Sequence, residues 1–297
     1  MPAPTRLLIA GYGDIGARVA RLLPAGVAVQ AVNRSGRECL GLPQAVTLIR
    51  ADLAALGKLA APGSHILWLA PPPAQGPGDA TLEAALDGLP APAKFVYLST
   101  SGVYGDCGGA WVNESRPPAP GTDRARRRLA AERALQAWAE AAGCPWAIAR
   151  VPGIYGPGRL PLQRLRERRP GPAPTLPGWS NRVHADDLAA ALWAILRAGE
   201  GIYNVADGSP GTMGDYFRAV AQAAGLPPPP EVDSLAQLPP GLASYLQESR
   251  RIDAGRLHRE LGWAPQYPDL RAALPGCLAP DLAWQAPQPP QPPPVAT

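Results

Sequence analysis

Residues 6–23, RLLIAGYGDIGARVARLL, decide the fold. They start with a short apolar run that is typical of a buried strand, and after the glycines the apolar residues recur at helical spacing. The glycines between these two parts follow the pattern G-x-G-x-x-G, which is weak evidence alone but strong between a strand and a helix. The stretch therefore predicts a strand, a glycine turn and a helix that together bind a dinucleotide.

Each glycine of this turn has a physical role. Gly11 permits a tight turn, Gly13 lets a pyrophosphate approach a backbone that has no Cβ, and Gly16 lets the helix pack close to the strand. The first helical N–H groups then face the phosphates. A glycine turn that binds nothing is the alternative. The residues expected to contact the cofactor here are Gly11, Tyr12, Gly13, Asp14, Ile15 and Gly16.

Composition narrows the class of protein. The chain has 297 residues, 46% of them hydrophobic, enough for a substantial core. Its first apolar run ends at Gly11, far short of the roughly 18 residues of a membrane span, so we expect a cytoplasmic protein without membrane contact. The four cysteines lack C-x-x-C spacing and no histidine pairs with them at metal-ligand spacing. Neither a disulfide scaffold nor a metal site is indicated.

The net charge of +4 and the pI near 9.0 allow an anionic partner. A nucleotide cofactor satisfies that charge as well as a nucleic acid does. The basic residues are almost all arginines, and Lys58 and Lys94 are the two lysines. This bias indicates the general composition of the chain and not a nucleic-acid-binding surface. We therefore predict a small-molecule substrate and no nucleic-acid partner, and the sequence predicts no oligomeric state.

Apolar runs and helical patterns alternate along the first half of the chain, which predicts a parallel, doubly wound α/β sheet of the Rossmann type. In such sheets ligands bind beyond the carboxyl ends of the strands. Strands are predicted at residues 27–32, 46–50, 64–70, 94–98, 146–150 and 201–205, and helices at residues 81–89, 185–197, 213–224 and 256–261.

The predicted strand ends supply candidate cofactor contacts. Strand two ends at Asn33, Arg34 and Ser35, where an acidic residue would hold the ribose of NAD and an arginine can receive the 2′-phosphate of NADP. Arg34 therefore favours NADP, with NAD possible, and an ordinary surface arginine is the alternative. Other expected contacts follow strands three and four and are Asp52, Leu53, Ala70, Pro71 and Pro72.

Four motifs in order resemble the NAD-dependent epimerase/dehydratase family, the extended short-chain dehydrogenases/reductases. They are GYGDIG from Gly11, STSGVYG from Ser99, RVPGIYGPG from Arg150 and NRVHADD from Asn181, within residues 6–267. The resemblance implies a Rossmann-type domain at residues 1–158 and a smaller C-terminal substrate lobe at residues 159–284, of which residues 181–205 return to the main sheet. A disordered proline-rich tail is expected at residues 285–297.

The resemblance also implies site residues. Thr100 falls where the family keeps a catalytic Ser or Thr, with Ser101 beside it, and Pro152 falls among the cofactor contacts. The family's Y-x-x-x-K pair is absent from the whole chain, because its positions hold Arg124 and Arg128. An arginine stays protonated, so Arg124 cannot shuttle the proton that the tyrosine moves, although Arg128 can still bond a ribose.

Several assignments stay open at this stage. Tyr104 and Tyr155 are candidate substitute acids, although packing roles are favoured. Arg124, Arg128 and Glu132 share a helix flank that is either solvated or faces the ligand. The basic segment at residues 159–169 is either a solvated helix or a phosphate contact, and His184 is expected to be structural, near Asp186 or Asp187.

Two functions remain. One is an NADP-binding oxidoreductase or epimerase-like enzyme that acts on a carbonyl or hydroxyl, with a nucleotide-linked substrate as one possibility. The other is a sensor or regulatory protein that binds the nucleotide without catalysis. The intact STSGVYG motif favours the first, and the missing Tyr and Lys favour the second.

Overall fold

The computed structural model describes residues 4–39, 43 and 46–279. The tail expected at residues 285–297 lies outside them. The strands of the described chain are β1 (Arg6–Ala10), β2 (Ala28–Asn33), β3 (Val46–Arg50), β4 (His65–Trp68), β5 (Lys94–Thr100), β6 (Trp111–Val112), β7 (Trp146–Val151), β8 (Gly153–Tyr155), β9 (Gly171–Pro172), β10 (Arg182–His184), β11 (Gly201–Asn204), β12 (Glu231–Val232) and β13 (Arg251–Ile252).

Helices connect these strands, and short 3-10 turns lie at Leu53–Ala55, Ser101–Tyr104 and Leu235–Gln237. The α-helices are α1 (Asp14–Leu22), α2 (Leu56–Leu59), α3 (Ala80–Leu86), α4 (Asp123–Ala142), α5 (Leu162–Arg166), α6 (Ala185–Ala198), α7 (Met213–Ala223), α8 (Pro240–Leu246), α9 (Gly255–Leu261) and α10 (Leu270–Cys277).

Seven parallel strands form the main sheet in the order β3-β2-β1-β4-β5-β7-β11, which confirms the predicted Rossmann-type α/β fold. The chain winds outward from β1 in one direction and from β4 in the other. A crevice therefore opens at the carboxyl ends of β1 and β4, where the direction of winding changes. The other strands pair in twos, β10 with β8, β12 with β9 and β13 with β6.

Both faces of the main sheet are covered, which explains why its strands are continuously apolar. Successive side chains of β1 alternate between the faces, so that Leu7 and Ile9 pack with α1 and α6, whereas Leu8 packs with α3 and α4. A separate cluster around Phe217 and Leu274 joins α5, α7 and α10. The candidate cofactor clefts lie along the carboxyl edge of the main sheet.

Candidate functional site

The glycine turn has the geometry that its sequence predicts. Gly11 adopts φ +84°, and a Cβ there would lie 2.6 Å from the backbone nitrogen of Ala70, which follows the neighbouring strand. Gly16 packs so closely on β1 that a Cβ would lie 3.1 Å from Ile9. At Gly13 a Cβ would meet nothing within 4 Å, so space lies open beside the uncapped N-terminus of α1. A phosphate fits this arrangement of open backbone and helix N-terminus.

The side chains within the turn are occupied by the protein itself. Tyr12 and Ile15 are buried in the core. The Asp14 carboxylate is 3% exposed and pairs with Arg18 at 2.8 Å and with Arg159 at 2.5 Å. These residues can therefore reach a cofactor through their backbone. Arg159, from the basic segment at residues 159–169, thus has a carboxylate partner within the protein.

The end of β2 is fixed to the glycine turn by Asn33. Its amide donates to the carbonyl of Tyr12 at 3.1 Å, and its side-chain oxygen accepts the N–H of Gly36 at 2.6 Å. Ser35 donates to the same oxygen at 3.4 Å. The exposed Arg34 has no ion-pair partner in the described chain. Asn33 thus shapes the turn and leaves Arg34 available at its edge.

A cleft of about 560 Å³ brings together most of the cofactor contacts predicted after strands two, three and four. The Asp52 carboxylate accepts the N–H of Ala54 at 3.0 Å and so shapes one wall. Thr81 of α3 also belongs to the lining. The predicted residues in the lining are Arg34, Asp52, Leu53, Ala70, Pro71 and Pro72.

A second cleft, of about 410 Å³, continues the first because both are lined by Pro71 and Pro72. It contains Thr100, whose hydroxyl accepts the N–H of Gly102 at 3.2 Å, together with Arg124 and Arg128. It also contains Arg127, which sequence reasoning did not single out. The cleft of Thr100 is therefore also lined by three arginines, Arg124, Arg127 and Arg128.

Arg128 is held at the carboxyl edge of the sheet. Its Nη1 donates to the carbonyl of Leu98 at 2.7 Å, to the hydroxyl of Tyr97 at 3.0 Å and to the carbonyl of Ala70 at 3.3 Å. Burial raises the pKa of Tyr97 to about 12, so this phenol stays neutral. The guanidinium is therefore fixed at the ends of β4 and β5, and Arg128 lines the second cleft.

The three hydroxyls at residues 99–101 of the STSGVYG motif have different surroundings. Ser99 is buried and donates to Glu132 in a short hydrogen bond. Ser101 is buried and lines a narrow pocket with Pro152, apart from the cleft of Thr100. Thr100 alone of the three lines that cleft.

Glu132 lies neither in solvent nor at the ligand cleft, the two positions that its helix flank allowed. It is 1% exposed and forms an ion pair with Arg150 of β7, with 2.6 Å between Oε2 and Nη2. A side chain so buried is neither solvated nor in the cleft. Arg124, by contrast, is exposed, and Arg128 is half-buried.

Tyr104, Tyr155 and His184 form hydrogen bonds within the protein. Tyr104 is buried and donates to the side chain of Asn204 at 2.8 Å, and Tyr155 is buried and donates to the carbonyl of Tyr267 at 3.3 Å. Burial raises the pKa of both phenols. Burial also lowers the pKa of His184, whose neutral ring accepts the N–H of Asp186 at 3.2 Å and caps α6.

A third cavity, of about 330 Å³, adjoins the second cleft because Arg124 lines both. Tyr245 of α8 and Arg182 of β10 lie in its wall. Sequence reasoning missed Tyr245, because the short segment of α8 has no helical period that would mark it. Within the described residues no group of three His, Cys, Asp or Glu could hold a metal ion, and no helix is long and apolar enough to cross a membrane.

A family model and a curated relative match this chain. The family described as "NAD dependent epimerase/dehydratase family" matches residues 79–206. Protein YeeZ of Escherichia coli strain K12 is 30% identical over 203 residues, which cover 65% of this chain and 68% of YeeZ.

Two solved structures share the fold over nearly the whole chain. A functionally unknown conserved protein from Silicibacter pomeroyi has a TM-score of 0.73 at 28% identity, over 92% of this chain and 98% of that one. The UDP-glucose 4-epimerase of Thermus thermophilus, solved as a complex with NAD, has a TM-score of 0.70 at 24% identity, over 91% of this chain and 96% of that one. At that identity the second likeness concerns the fold.

Proposed function

The chain belongs to the NAD-dependent epimerase/dehydratase family, and from this membership we propose that it binds NADP(H) along the two joined clefts and acts as an oxidoreductase on a carbonyl or hydroxyl. The observation that carries the proposal is the continuity of the clefts. They run from Arg34, past Pro71 and Pro72, to Thr100 and Arg128. An extended dinucleotide needs such a path along the carboxyl ends of the strands.

The residues present fit a dinucleotide. The open space at Gly13 beside the start of α1 suits a pyrophosphate. Asp52 and Leu53 then lie at the adenine end, and Arg128 lies at the other end beside Thr100.

The preference for NADP over NAD is proposed from Arg34. The residue before it, Asn33, carries no charge, and its side-chain amide donates to the carbonyl of Tyr12 in the glycine turn. No carboxylate at that position therefore holds both ribose hydroxyls. The Arg34 guanidinium, which has no ion-pair partner among the described residues, supplies charge-assisted hydrogen bonds to a 2′-phosphate.

When bound, NADP(H) supplies hydride transfer. Thr100 holds the substrate oxygen through its hydroxyl, and Arg128 fixes the ribose by donating hydrogen bonds. The proton needs another group, since Arg124 and Arg128 stay protonated. Tyr245 is our candidate, because it lines the cavity next to Arg124 and its hydroxyl has no hydrogen-bond partner among the described residues.

Turnover of NADPH tests this function. Purified protein is mixed with NADPH and a panel of aldehydes, ketones and 2-oxoacids, and with NADP⁺ and UDP-glucose, while the absorbance of the reduced nicotinamide is followed. We expect turnover of at least one compound. Thr100→Ala should lower kcat by roughly 100-fold or more, as loss of a donor to the reacting oxygen does, whereas Thr100→Ser should retain most of it.

A second candidate function, a non-catalytic NADP(H) sensor, is favoured by one observation. Nη1 of Arg128 donates to three oxygens of the protein, which fixes the guanidinium in place. An arginine fixed in this way can bind the nucleotide whether or not a reaction follows. Tight NADPH binding with no turnover of any panel compound, and no effect of Thr100→Ala on binding, would favour the sensor over the enzyme.

A further inference from the structure

The third cavity differs in character from the cofactor clefts. It lies between the strand pair β8–β10 and helices α7 and α8, and Arg124 lines both this cavity and the cleft of Thr100. A molecule in this cavity could therefore reach the reacting end of the cofactor path. A substrate body can lie in this cavity of about 330 Å³.

The buried cation in its wall is Arg182, which is 6% exposed. The guanidinium carbon lies 4.1 Å from the ring centroid of Tyr216, so one face is covered by an aromatic ring. One Nη donates to the hydroxyl of Ser180 at 3.1 Å and lies 3.7 Å from the sulfur of Met213. These contacts orient the guanidinium but leave its charge without a counter-ion among the described residues.

Within the part of the chain that the structure describes, no carboxylate lies within the 4.0 Å of an ion pair with Arg182. Asp207 influences it electrostatically without reaching it, and donates its backbone N–H to the carbonyl of Arg182 at 2.8 Å. Burying a cation without an anion is costly, and proteins almost always pair such a group. The missing partner is therefore expected in the ligand.

The walls of the cavity indicate the rest of the ligand. The lining combines the rings of Tyr155, Tyr216, Phe217 and Tyr245 with the aliphatic side chains of Ile154, Met213 and Leu242, and its other side chains are those of Arg124, Asn181 and Arg182. Tyr216 and Phe217 are themselves buried. Such walls favour a planar or branched apolar body, whereas a sugar would need polar partners for each hydroxyl.

We propose that this cavity binds a small, largely apolar carboxylic acid, with its carboxylate paired to Arg182 and its body against Tyr216 and Tyr245. A guanidinium fork matches the two oxygens of a carboxylate. The inference rests on the proposed function in one respect, that the carbonyl or hydroxyl of the same acid is the group that reacts beside Thr100.

The test is isothermal titration of the protein without cofactor, with benzoate and its neutral analogue benzamide as matched probes. We expect benzoate to bind at least tenfold more tightly than benzamide, because the shapes are alike and one carries the charge. Arg182→Met should weaken benzoate binding at least tenfold and leave benzamide binding within threefold. Arg182→Lys, which keeps the charge but loses the fork, should fall between the two.

Arg218→Met is the matched control, because Arg218 also lies on the wall-forming helix α7 but is exposed and pairs with Glu231. It should leave benzoate binding unchanged. The comparison of benzoate with benzamide uses the unmodified protein, so it remains decisive if Arg182→Met fails to fold.

Three results would overturn the proposal. The first is equal binding of benzoate and benzamide. The second is binding of phenyl phosphate that depends on Arg182 and is tighter than that of benzoate. The third is displacement of bound benzoate by UDP-glucose at a concentration below that of benzoate. The last would assign the cavity to a nucleotide-linked substrate. Because no cofactor is present, failure of NADPH binding and failure of this proposal are observed separately.

Discussion

Glu132 of α4 and Arg150 of β7 form an ion pair inside the protein, with side chains only 1% and 3% exposed. Arg150 also lies over the ring of Tyr104, 4.8 Å from its centroid, and Ser99 donates to Glu132. The pair therefore ties the helix that carries Arg124 to the strands that end at the cleft. Its position makes it structural, although it lies close to the site.

Removal of Glu132 should destabilise the fold. Glu132→Ala leaves the Arg150 guanidinium buried without an anion, which costs about 3–5 kcal/mol. Urea denaturation followed by circular dichroism measures this loss. The control is Arg126→Ala on the same helix, which breaks the exposed pair with Asp123 and should leave the midpoint nearly unchanged. Equal effects of the two substitutions would contradict a buried pair.

Asp14 should matter for stability and not for cofactor affinity, although it lies in the glycine motif. Asp14→Asn weakens the bonds to Arg18 and Arg159, so the free energy of unfolding should fall by about 2–4 kcal/mol. The dissociation constant for NADPH should change less than threefold at a temperature where the variant is folded. A large loss of affinity with unchanged stability would show that the carboxylate acts on the cofactor.

The free energy of unfolding should depend on pH through the titration of Asp207. Burial, opposed by the N–H of Ser209 and the charge of Arg182, raises the pKa of Asp207 from 3.8 to about 7. Between those values the folded protein retains a proton that the unfolded chain has lost, so this group makes stability fall as pH rises from about 4 to 7. The contribution is at most about 4 kcal/mol.

Asp207→Asn removes that titration and can keep the bond from Ser209, because the side-chain amide still offers an oxygen to the backbone N–H. The variant should therefore be more stable than the unmodified protein at pH 8, and its midpoint in urea should vary less between pH 4 and pH 7. Asp233→Asn, outside the core, is the control and should leave the pH profile unchanged. An unaltered profile in Asp207→Asn would contradict the raised pKa.

Arg128 should contribute to cofactor affinity. Arg128→Met removes a guanidinium fixed at the cleft, and the loss of a charge-assisted hydrogen bond should weaken NADPH binding by roughly tenfold or more. Fluorescence titration measures the change. Arg133→Met, at an exposed position of the same helix, should bind NADPH normally. Unaltered binding in Arg128→Met would remove this residue from the proposed site.

Much of the fold follows from sequence because its signals are local. The apolar run of β3 predicts Val46–Arg50 with the observed bounds, and the apolar pattern of α6 predicts all but its last residue, Ala198. Helix α8 was not predicted, since its sequence begins with Pro240 and Gly241 and is too short for a period. Its place depends on packing of Leu242 and Leu246 against distant residues.

The site was predicted where its residues follow strand ends and missed where distant segments meet. Arg34 and Thr100 line the clefts because parallel strands end at a common edge. The spacing of Glu132 on its helix could not reveal Arg150, which comes from a strand 18 residues later. Likewise no local pattern indicates that Arg182, in a three-residue strand, lies in an aromatic cavity.

Fluorescence titration of the purified protein with NADPH and with NADH tests the binding of NADP(H) and the preference for it over NAD(H). We expect NADPH to bind at least tenfold more tightly, as charge-assisted bonds from Arg34 to a 2′-phosphate imply. Arg34→Ala should reduce the difference to less than threefold by weakening NADPH alone. Equal or tighter binding of NADH by the unmodified protein, or no binding of either, would contradict this expectation.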